Sequence, residues 1–293
     1  MKISLIIRTY NEEKHLPDLL KGINSQSLDG LDKEVLLVDS GSTDGTIRIA
    51  QEHNAKILRI SKEEFSFGRS LNIGCAEASG DILVMVSGHC IPIDHLWLRN
   101  LTRPLIDGAV ACAYGRQIGN GQSRYSECRI FEKYYPGTSK IPQDGFFCNN
   151  ANSALLKKVW ERHPFDESLT GLEDMHMAKL LVAQGMKIGY VADAGVYHIH
   201  QEHWPSVKNR YEREAVALQH IMPEVHVSFV DMLRYVASSI VLDAGEAARE
   251  KQLLRRLGEI VMYRCAQYWG VYRGNHFHRK LSKERKERYF YPR

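Results

Sequence analysis

The sequence predicts an α/β protein whose N-terminal part is a Rossmann-like run of strands and helices, and three observations carry that prediction. Short apolar runs of strand length alternate with segments of helical spacing. The apolar runs break at their carboxyl ends into polar turns, as in Val35-Leu-Leu-Val-Asp-Ser-Gly-Ser-Thr-Asp44. That places polar chemistry at the sheet edge where open α/β sheets bind ligands. The longest unbroken apolar runs, such as Ile82 to Val86, fall far short of a membrane span.

Taken in order, Ile3-Ser-Leu-Ile-Ile-Arg-Thr-Tyr-Asn11 reads as a buried strand breaking into a polar turn. Glu12 to Ser25 has helical spacing through Leu16, Leu19, Leu20 and Ile23, and Val35 to Val38 is the second strand, completing a βαβ unit. A helix over 44–54 leads to a strand at Lys56–Ile60. Phe65 to Ser79 reads as a loop and a small-residue helix stopped by Gly80, and Asp81 opens a very apolar strand that breaks at Ser87. Then come a helix from Leu96 to Leu105 and a strand from Ala109 to Gly115. Residues 116–147 read as a long irregular loop, and loops of that length in a compact domain are usually functional. Glu173-Asp174 opens a helix, and Lys187–Val191 and Ala194–Tyr197 are two late strands ending at His198-Ile-His200. From about 206 the pattern is mostly helical.

Composition bounds the function. The 293 residues suffice for one large or two small domains, with 44% apolar and 25% charged residues as in ordinary globular proteins. Met1-Lys2 runs directly into strand-like sequence, which reads as the absence of a signal peptide. Six scattered cysteines with no C-x-x-C pair read as reduced thiols and not as a zinc site. G-x-G-x-x-G after the first strand and G-x-x-x-x-G-K-[ST] are both missing, which disfavours dinucleotide binding and P-loop chemistry. Residues 249–293 carry 13 Lys/Arg against 4 Asp/Glu, while the first 248 carry 26 against 31. A basic tail on an acidic-leaning body reads either as a membrane-seeking end or as a solvated helix face. The tail lacks a nucleic-acid reading motif and the body a basic groove, so nucleic acid is not the expected partner.

Thr9-Tyr10-Asn11-Glu12, Val38-Asp39-Ser-Gly-Ser-Thr-Asp44, Ala78-Ser-Gly-Asp-Ile-Leu83 and Glu173-Asp174 stand in an order that resembles family 2 glycosyltransferases of the GT-A fold. Tyr114-Gly-Arg-Gln117, Asn150-Ala-Asn-Ser153, Pro164-Phe-Asp-Glu167 and Val196-Tyr-His-x-His200 are similar to patterns in bacterial rhamnosyltransferase-like members. The resemblance covers roughly residues 1–205. It implies a GT-A catalytic domain over 1–205, with a nucleotide-binding half 1–92 and an acceptor half 93–205, followed by a helical, basic extension over 206–293. It implies transfer of a sugar, possibly rhamnose, from a UDP- or dTDP-sugar to a saccharide or lipid-linked acceptor with inversion, in bacterial surface polysaccharide synthesis. The expected location is cytoplasmic, and peripheral on the inner face of the cytoplasmic membrane if the basic C-terminus contacts lipid.

By the same resemblance, Asp39 accepts from a pyrimidine imide, Thr9, Tyr10 and Glu12 flank base and ribose, and Asp44 shapes that pocket. The alternatives are a packed aromatic for Tyr10 and an ordinary charge at a helix N-terminus for Glu12. Asp174 is implied as the base that takes the acceptor hydroxyl proton, with Glu173 holding the acceptor or bracing the helix. Two acids at a helix start also suit the dipole. Arg116 and Trp204 are candidates for acceptor contact, with a loop ion pair and a core position as their alternatives. Asn72 resembles the Asn of a donor-side Arg-Asn pair, although Leu71 precedes it. The departure lies at Ser87-Gly88-His89, where GT-A enzymes commonly carry Asp-x-Asp. The polypeptide GalNAc-transferases carry Asp-x-His there, so His89 is a candidate ligand for a divalent cation, with one of His198 and His200 as the distal ligand. Imidazole favours Mn²⁺ over Mg²⁺. Metal-free contact of His89 with phosphate is the alternative ligand chemistry. A non-catalytic sugar-nucleotide-binding or scaffold subunit is the alternative function.

Overall fold

The structure, a computed structural model, describes residues 1–28, 30–200, 202–276 and 283–290. These form two compact units, one of Met1–Ile118, Tyr134–Ser168 and Glu173–Ile199, the other of Gly119–Lys133, Leu169–Leu172 and the chain from His200 onward. A single cut at 205/206 therefore does not describe the packing, because two earlier segments join the C-terminal helices.

In the first unit, β1 (Lys2–Thr9), α1 (Leu16–Asn24), β2 (Asp32–Asp39), α2 (Thr46–Glu52), β3 (Lys56–Arg59), α3 (Phe67–Glu77) and β4 (Ile82–Ser87) follow one another as the sequence predicts. Then come β5 (Cys90–Pro92), α4 (Trp97–Ile106) and β6 (Cys112–Ile118). After α5 (Tyr125–Tyr134) the chain returns with β7 (Asn152–Leu156), the short α6 (Lys157–Trp160), α7 (Glu173–Ala183) and β8 (Ile188–His198). The two late strands of the sequence reading are one. The eight strands make a single mixed sheet in the order β3-β2-β1-β4-β7-β6-β8-β5. β1 to β4 run parallel, and β7 enters antiparallel between β4 and β6.

Burial explains the apolar runs. Ile3, Leu5, Ile6 and Ile7 of β1 are fully enclosed, as a strand covered on both faces requires. Leu16, Leu19, Leu20 and Ile23 put one stripe of α1 into the same core. The small residues of α3 have a packing reason, since a Cβ on Gly74 would lie 2.4 Å from Ile6 Cγ2. The helix sits too close to β1 for any side chain there.

The second unit is helical, with α5 joined by α8 (Trp204–Ile221), α9 (Phe229–Arg249), α10 (Leu253–Asn275) and α11 (Lys283–Phe290). Gly270 and Gly274 let α10 approach α8, because Cβ atoms there would lie 2.3 Å from Lys208 O and 2.2 Å from Glu212 O. The α5 helix lies inside the stretch expected to be irregular. Its buried side includes Ser126 and Glu127, so no apolar stripe announces it. In the basic tail, which could also end on a membrane surface through Tyr289, Phe290 and Tyr291, the side chains of Tyr289 and Phe290 are buried, and the Tyr289 hydroxyl donates to Glu212 at 2.8 Å. Tyr291, Lys280 and the rest of the stretch 277–282 lie outside the described residues.

Candidate active site

The carboxyl ends of β1, β2 and β4 converge, and their loops are stitched together by side chains. Asn11 turns the chain at φ 56°, a conformation Asn tolerates, and its Oδ1 accepts from Thr43 N–H at 2.8 Å. Glu12 N–H donates to the Thr46 hydroxyl at 2.8 Å, and Gly45 N–H to Glu13 at 2.6 Å. Asp39, 3% exposed, accepts from Gly41 N–H and Ser42 N–H at 3.0 Å each, from the Ser42 hydroxyl at 2.5 Å and from Thr9 Oγ1 at 3.4 Å. A base imide could engage this carboxylate only beside, or in place of, a rotating hydroxyl. Asp44 accepts from Thr46 N–H and hydroxyl and from Glu13 N–H. Burial opposes its charge, yet these donors hold its carboxyl below the ordinary range. Tyr10 lies under Lys62, whose ammonium is 4.7 Å from the ring centroid and 2.9 Å from the hydroxyl.

At the end of β4, Gly88 has no room for a Cβ, which would lie 2.8 Å from Glu12 Cγ. That approach lets Glu12 reach His89, whose Nδ1–H donates to Glu12 Oε1 at 2.6 Å. His198, at the end of β8, donates its Nδ1–H to Gln117 Oε1 at 2.6 Å, and Gln117 Nε2 donates in turn to Asn149 at 2.9 Å. The His89 and His198 rings stack with centroids 5.1 Å apart. Each imidazole thereby carries its proton on Nδ1, which places the lone pair on Nε2. An acceptor on the far nitrogen is the usual support of a metal-bound histidine.

His200 lies past the strand end in the second unit, where its Nδ1–H donates to buried Glu127 at 2.8 Å and Arg210 joins at 3.0 Å. Burial works against the Glu127 charge, but His200 and Arg210 hold its carboxyl low. Trp204 also belongs to the second unit, beneath the Arg124 guanidinium at 4.3 Å.

The acids of α7 are enclosed. The chain enters them through Leu172 at φ 56°, which costs a branched residue about 1–2 kcal/mol. Glu173 Oε1 pairs with Arg8 Nη1 at 3.2 Å. Asp174 accepts from Asn150 N–H at 2.8 Å and from its neighbour Met175 N–H at 2.7 Å. Burial, with the Glu173 charge beside it, pushes the Asp174 carboxyl up to about 7. The Arg116 guanidinium lies near Gly137, and its Nε is buried without a hydrogen-bond partner among the described residues. Asn72 is a clamp, with Phe165 O, Phe165 N–H, Glu167 and Trp160 Nε1 as its partners. The Pro164–Glu167 motif thus braces α3.

The sequence reading missed Arg8. Its signal was a lone charge directly after Ile3–Ile7, where burial demands a partner.

The Glycosyl transferase family 2 model matches residues 4–163, more than half of the chain. The chain belongs to that family. It is similar to the O-antigen chain rhamnosyltransferase RfbN of Salmonella typhimurium, 29% identical over 213 residues that cover 68% of this chain and 67% of that protein. It is also similar to the O-antigen chain rhamnosyltransferase WbaN of Salmonella anatum, 30% identical over 178 residues, 57% of this chain and 56% of that protein. Among solved structures it resembles the mannosyltransferase PcManGT of Pyrobaculum calidifontis, in complex with GDP-Man and Mn²⁺, with a TM-score of 0.58 at 18% identity over 93% of this chain and 72% of that one. S. aureus TarS gives a TM-score of 0.54 at 16% identity over 97% and 95%. At these identities the likeness is one of fold, and that fold is GT-A. This family 2 member is a glycosyltransferase carrying Ser87-Gly88-His89 where an Asp-x-Asp is usual.

Proposed function

We propose that this family 2 glycosyltransferase moves a sugar, with rhamnose favoured, from a UDP- or dTDP-sugar to a saccharide or lipid-linked saccharide acceptor with inversion, in bacterial surface polysaccharide synthesis. The observation that carries this reading is the enclosed acid pair at the start of α7, in which Glu173 is neutralised by Arg8 at 3.2 Å and Asp174, held by Asn150 N–H at 2.8 Å, has its proton affinity raised by burial and by Glu173. A base works best with a pKa near the working pH. In the proposed step Asp174 takes the acceptor hydroxyl proton while that oxygen attacks the anomeric carbon and the nucleoside diphosphate departs. The family kinship and the similarity to rhamnosyltransferases support the substrate class.

A divalent cation fits the residues present. The ligand atoms of His89 and His198 lie within 4.8 Å of one another, and Glu12 and Gln117 fix both imidazoles with the lone pair on Nε2. Imidazole donors favour Mn²⁺ or a later metal over Mg²⁺. When bound, such a cation would offset the charge of the leaving diphosphate. His200 is oriented in the same way by Glu127 but lies in the second unit and is not assigned.

The reading places the enzyme in the cytoplasm, at the inner face of the membrane. No helix of the described residues is long and apolar enough to cross a membrane. Support for surface contact comes from the exposed Val230, Leu233, Val241 and Leu242 of α9, with Arg234 on the same helix, rather than from the buried terminal aromatics.

The test is to offer a panel of nucleoside diphosphate sugars with a saccharide acceptor, and to measure nucleotide release and the anomeric configuration of the product. Turnover with inversion that vanishes in Asp174→Asn, while donor binding survives, is the expected result. Donor binding with no turnover under any pairing would favour the scaffold reading, which the missing Asp-x-Asp motivates.

A further inference from the structure

Arg8 sits near the end of β1, paired through its backbone with Val38 of β2 and Ser87 of β4. A guanidinium inside a sheet must find a partner, because an unpaired buried charge is very costly. Arg8 finds Glu173 at 3.2 Å, with side chains only 15% and 4% exposed, and Phe67 supplies a ring 4.9 Å from its central carbon. Glu173 Oε1 also receives Asn150 Nδ2 at 3.5 Å, and the Asn150 N–H donates to Asp174 at 2.8 Å. One continuous contact path thus runs from the nucleotide-side strand β1 to Asp174.

Glu173 faces the Asp174 carboxyl from its own helix, Arg8 from β1, Tyr135 from the segment after α5, and Cys148 from the segment before β7. The Tyr135 hydroxyl is pushed far up by burial, and the Cys148 thiol by its Cys112 partner and burial, so both stay neutral. Glu173 and Arg8 are the charged groups among the largest influences on Asp174, and they act in opposite directions.

We propose that Arg8 is a positioning residue for the transfer reaction: its ion pair with Glu173 offsets that carboxylate and keeps the adjacent Asp174 ready to accept the hydroxyl proton. The proposal rests on the reading of Asp174 as the base. Without Arg8, two enclosed carboxylates stand side by side with no cation to offset them, and the proton that Asp174 binds near neutrality is held more tightly still. The base is then blocked although it touches every neighbour it had before.

The experiment compares kcat–pH profiles of the wild type, Arg8→Gln, Glu173→Gln and the double variant. Arg8→Gln should move the acid limb upward by about 1 pH unit, the low end of the span for loss of a neighbouring opposite charge, because Arg8 pairs with Glu173 and not with Asp174 itself. Donor KM should stay within a factor of about two of the wild type's, since the change is confined to the proton-accepting group. Glu173→Gln should move the limb downward, and the double variant should lie above Glu173→Gln, because Arg8 then acts on Asp174 alone. An Arg8→Gln enzyme slower at every pH with an unmoved limb overturns the proposal, since a merely structural role predicts that. A raised donor KM with an unmoved limb overturns it too, by making Arg8 a donor contact. Should Arg8→Gln fail to fold, the double variant against Glu173→Gln decides, and coincident limbs overturn the proposal. Turnover in Asp174→Asn would instead remove the base assignment itself. Asp174→Asn inactive with an unmoved Arg8→Gln limb sinks only the role of Arg8.

Discussion

Two carboxylate regions of the first unit carry similar residues and are built in opposite ways. At the ends of β1 and β2, Asp39 and Asp44 are surrounded by donors, and Asp44 is held below its ordinary range. At the start of α7, Glu173 and Asp174 are enclosed side by side with one guanidinium and a few amide donors between them, and Asp174 rises to about 7. Donors in excess make a carboxylate a fastener for loops. Donors in deficit make it a group that exchanges a proton near neutrality. Three things differ: Asp174 is enclosed while Asp44 is half-buried, Asp174 has the Glu173 charge beside it, and Asp44 has the larger share of N–H and O–H donors.

The sharpest way to break this contrast is Asp174→Asn. The variant should lose about 10²–10⁴-fold in kcat, the usual worth of a general base. The wild-type rate should fall about tenfold per pH unit below the acid limb near 7, as the base protonates. A pH-independent rate between 5 and 8 (measured at about half-unit steps) would mean that Asp174 does not titrate in the rate-limiting step.

The next effect concerns cation binding at the carboxyl ends of β1, β4 and β8, beside His89 and His198. Glu12→Ala removes the acceptor that fixes the His89 tautomer. Calorimetric Mn²⁺ affinity in the presence of nucleotide should weaken by about 10–100-fold, the usual cost of losing such a support. Unchanged affinity would show that Glu12 serves the loop alone, through its packing under Gly88.

Much of this was legible in the residues, and the limits have physical causes. The apolar runs give the strands of the first unit because a sheet covered on both faces demands them, and the Glu173-Asp174 pair is visible as a motif. Their inequality is not, because Glu173 meets its cation 165 residues away in sequence. The α5 helix escaped because part of its buried side is Glu127, matched by His200 and Arg210 from a distant segment. Asn72 resembles a donor-side residue because it fills a familiar place, whereas the hydrogen bonds that hold it among the described residues run to Trp160, Phe165 and Glu167. Patterns of burial are local in sequence, whereas charge compensation is not.

Stability supplies a subtler test of the acid pair. The Asp174 carboxyl is raised from 3.8 to about 7 in the fold, so the folded protein binds a proton that the unfolded chain has released. Stability linked to that proton is fully present below about pH 4 and is lost as pH rises through about 7, an amount on the order of 4 kcal/mol. Asp174→Asn removes this loss, at the expense of one of the two acceptor oxygens. The inactive variant should therefore melt at a higher temperature than the wild type at pH 8, by about 1–2 kcal/mol of stability, and lose that advantage at pH 5. Equal melting at both values would mean that the carboxyl is ordinary.

The smallest expected effect lies on the fastening side. Asp44→Ala deprives Thr46 and Glu13 of their acceptor and should cost about 1 kcal/mol, the usual net worth of a lost hydrogen bond. Because the folded carboxyl is depressed, its contribution is present above about 3.8 and fades as pH falls through the folded value. The wild type and Asp44→Ala should thus converge in stability on acidification, whereas the wild type and Asp174→Asn separate as the solution becomes alkaline. Denaturant titrations at pH 3, 5 and 8 (about evenly spread across the two transitions) follow both trends in one series. A cost of Asp44→Ala that stays constant down to pH 3 would mean that the loop keeps its fastening without the charge, and the contrast between the two regions would then rest on Asp174 alone.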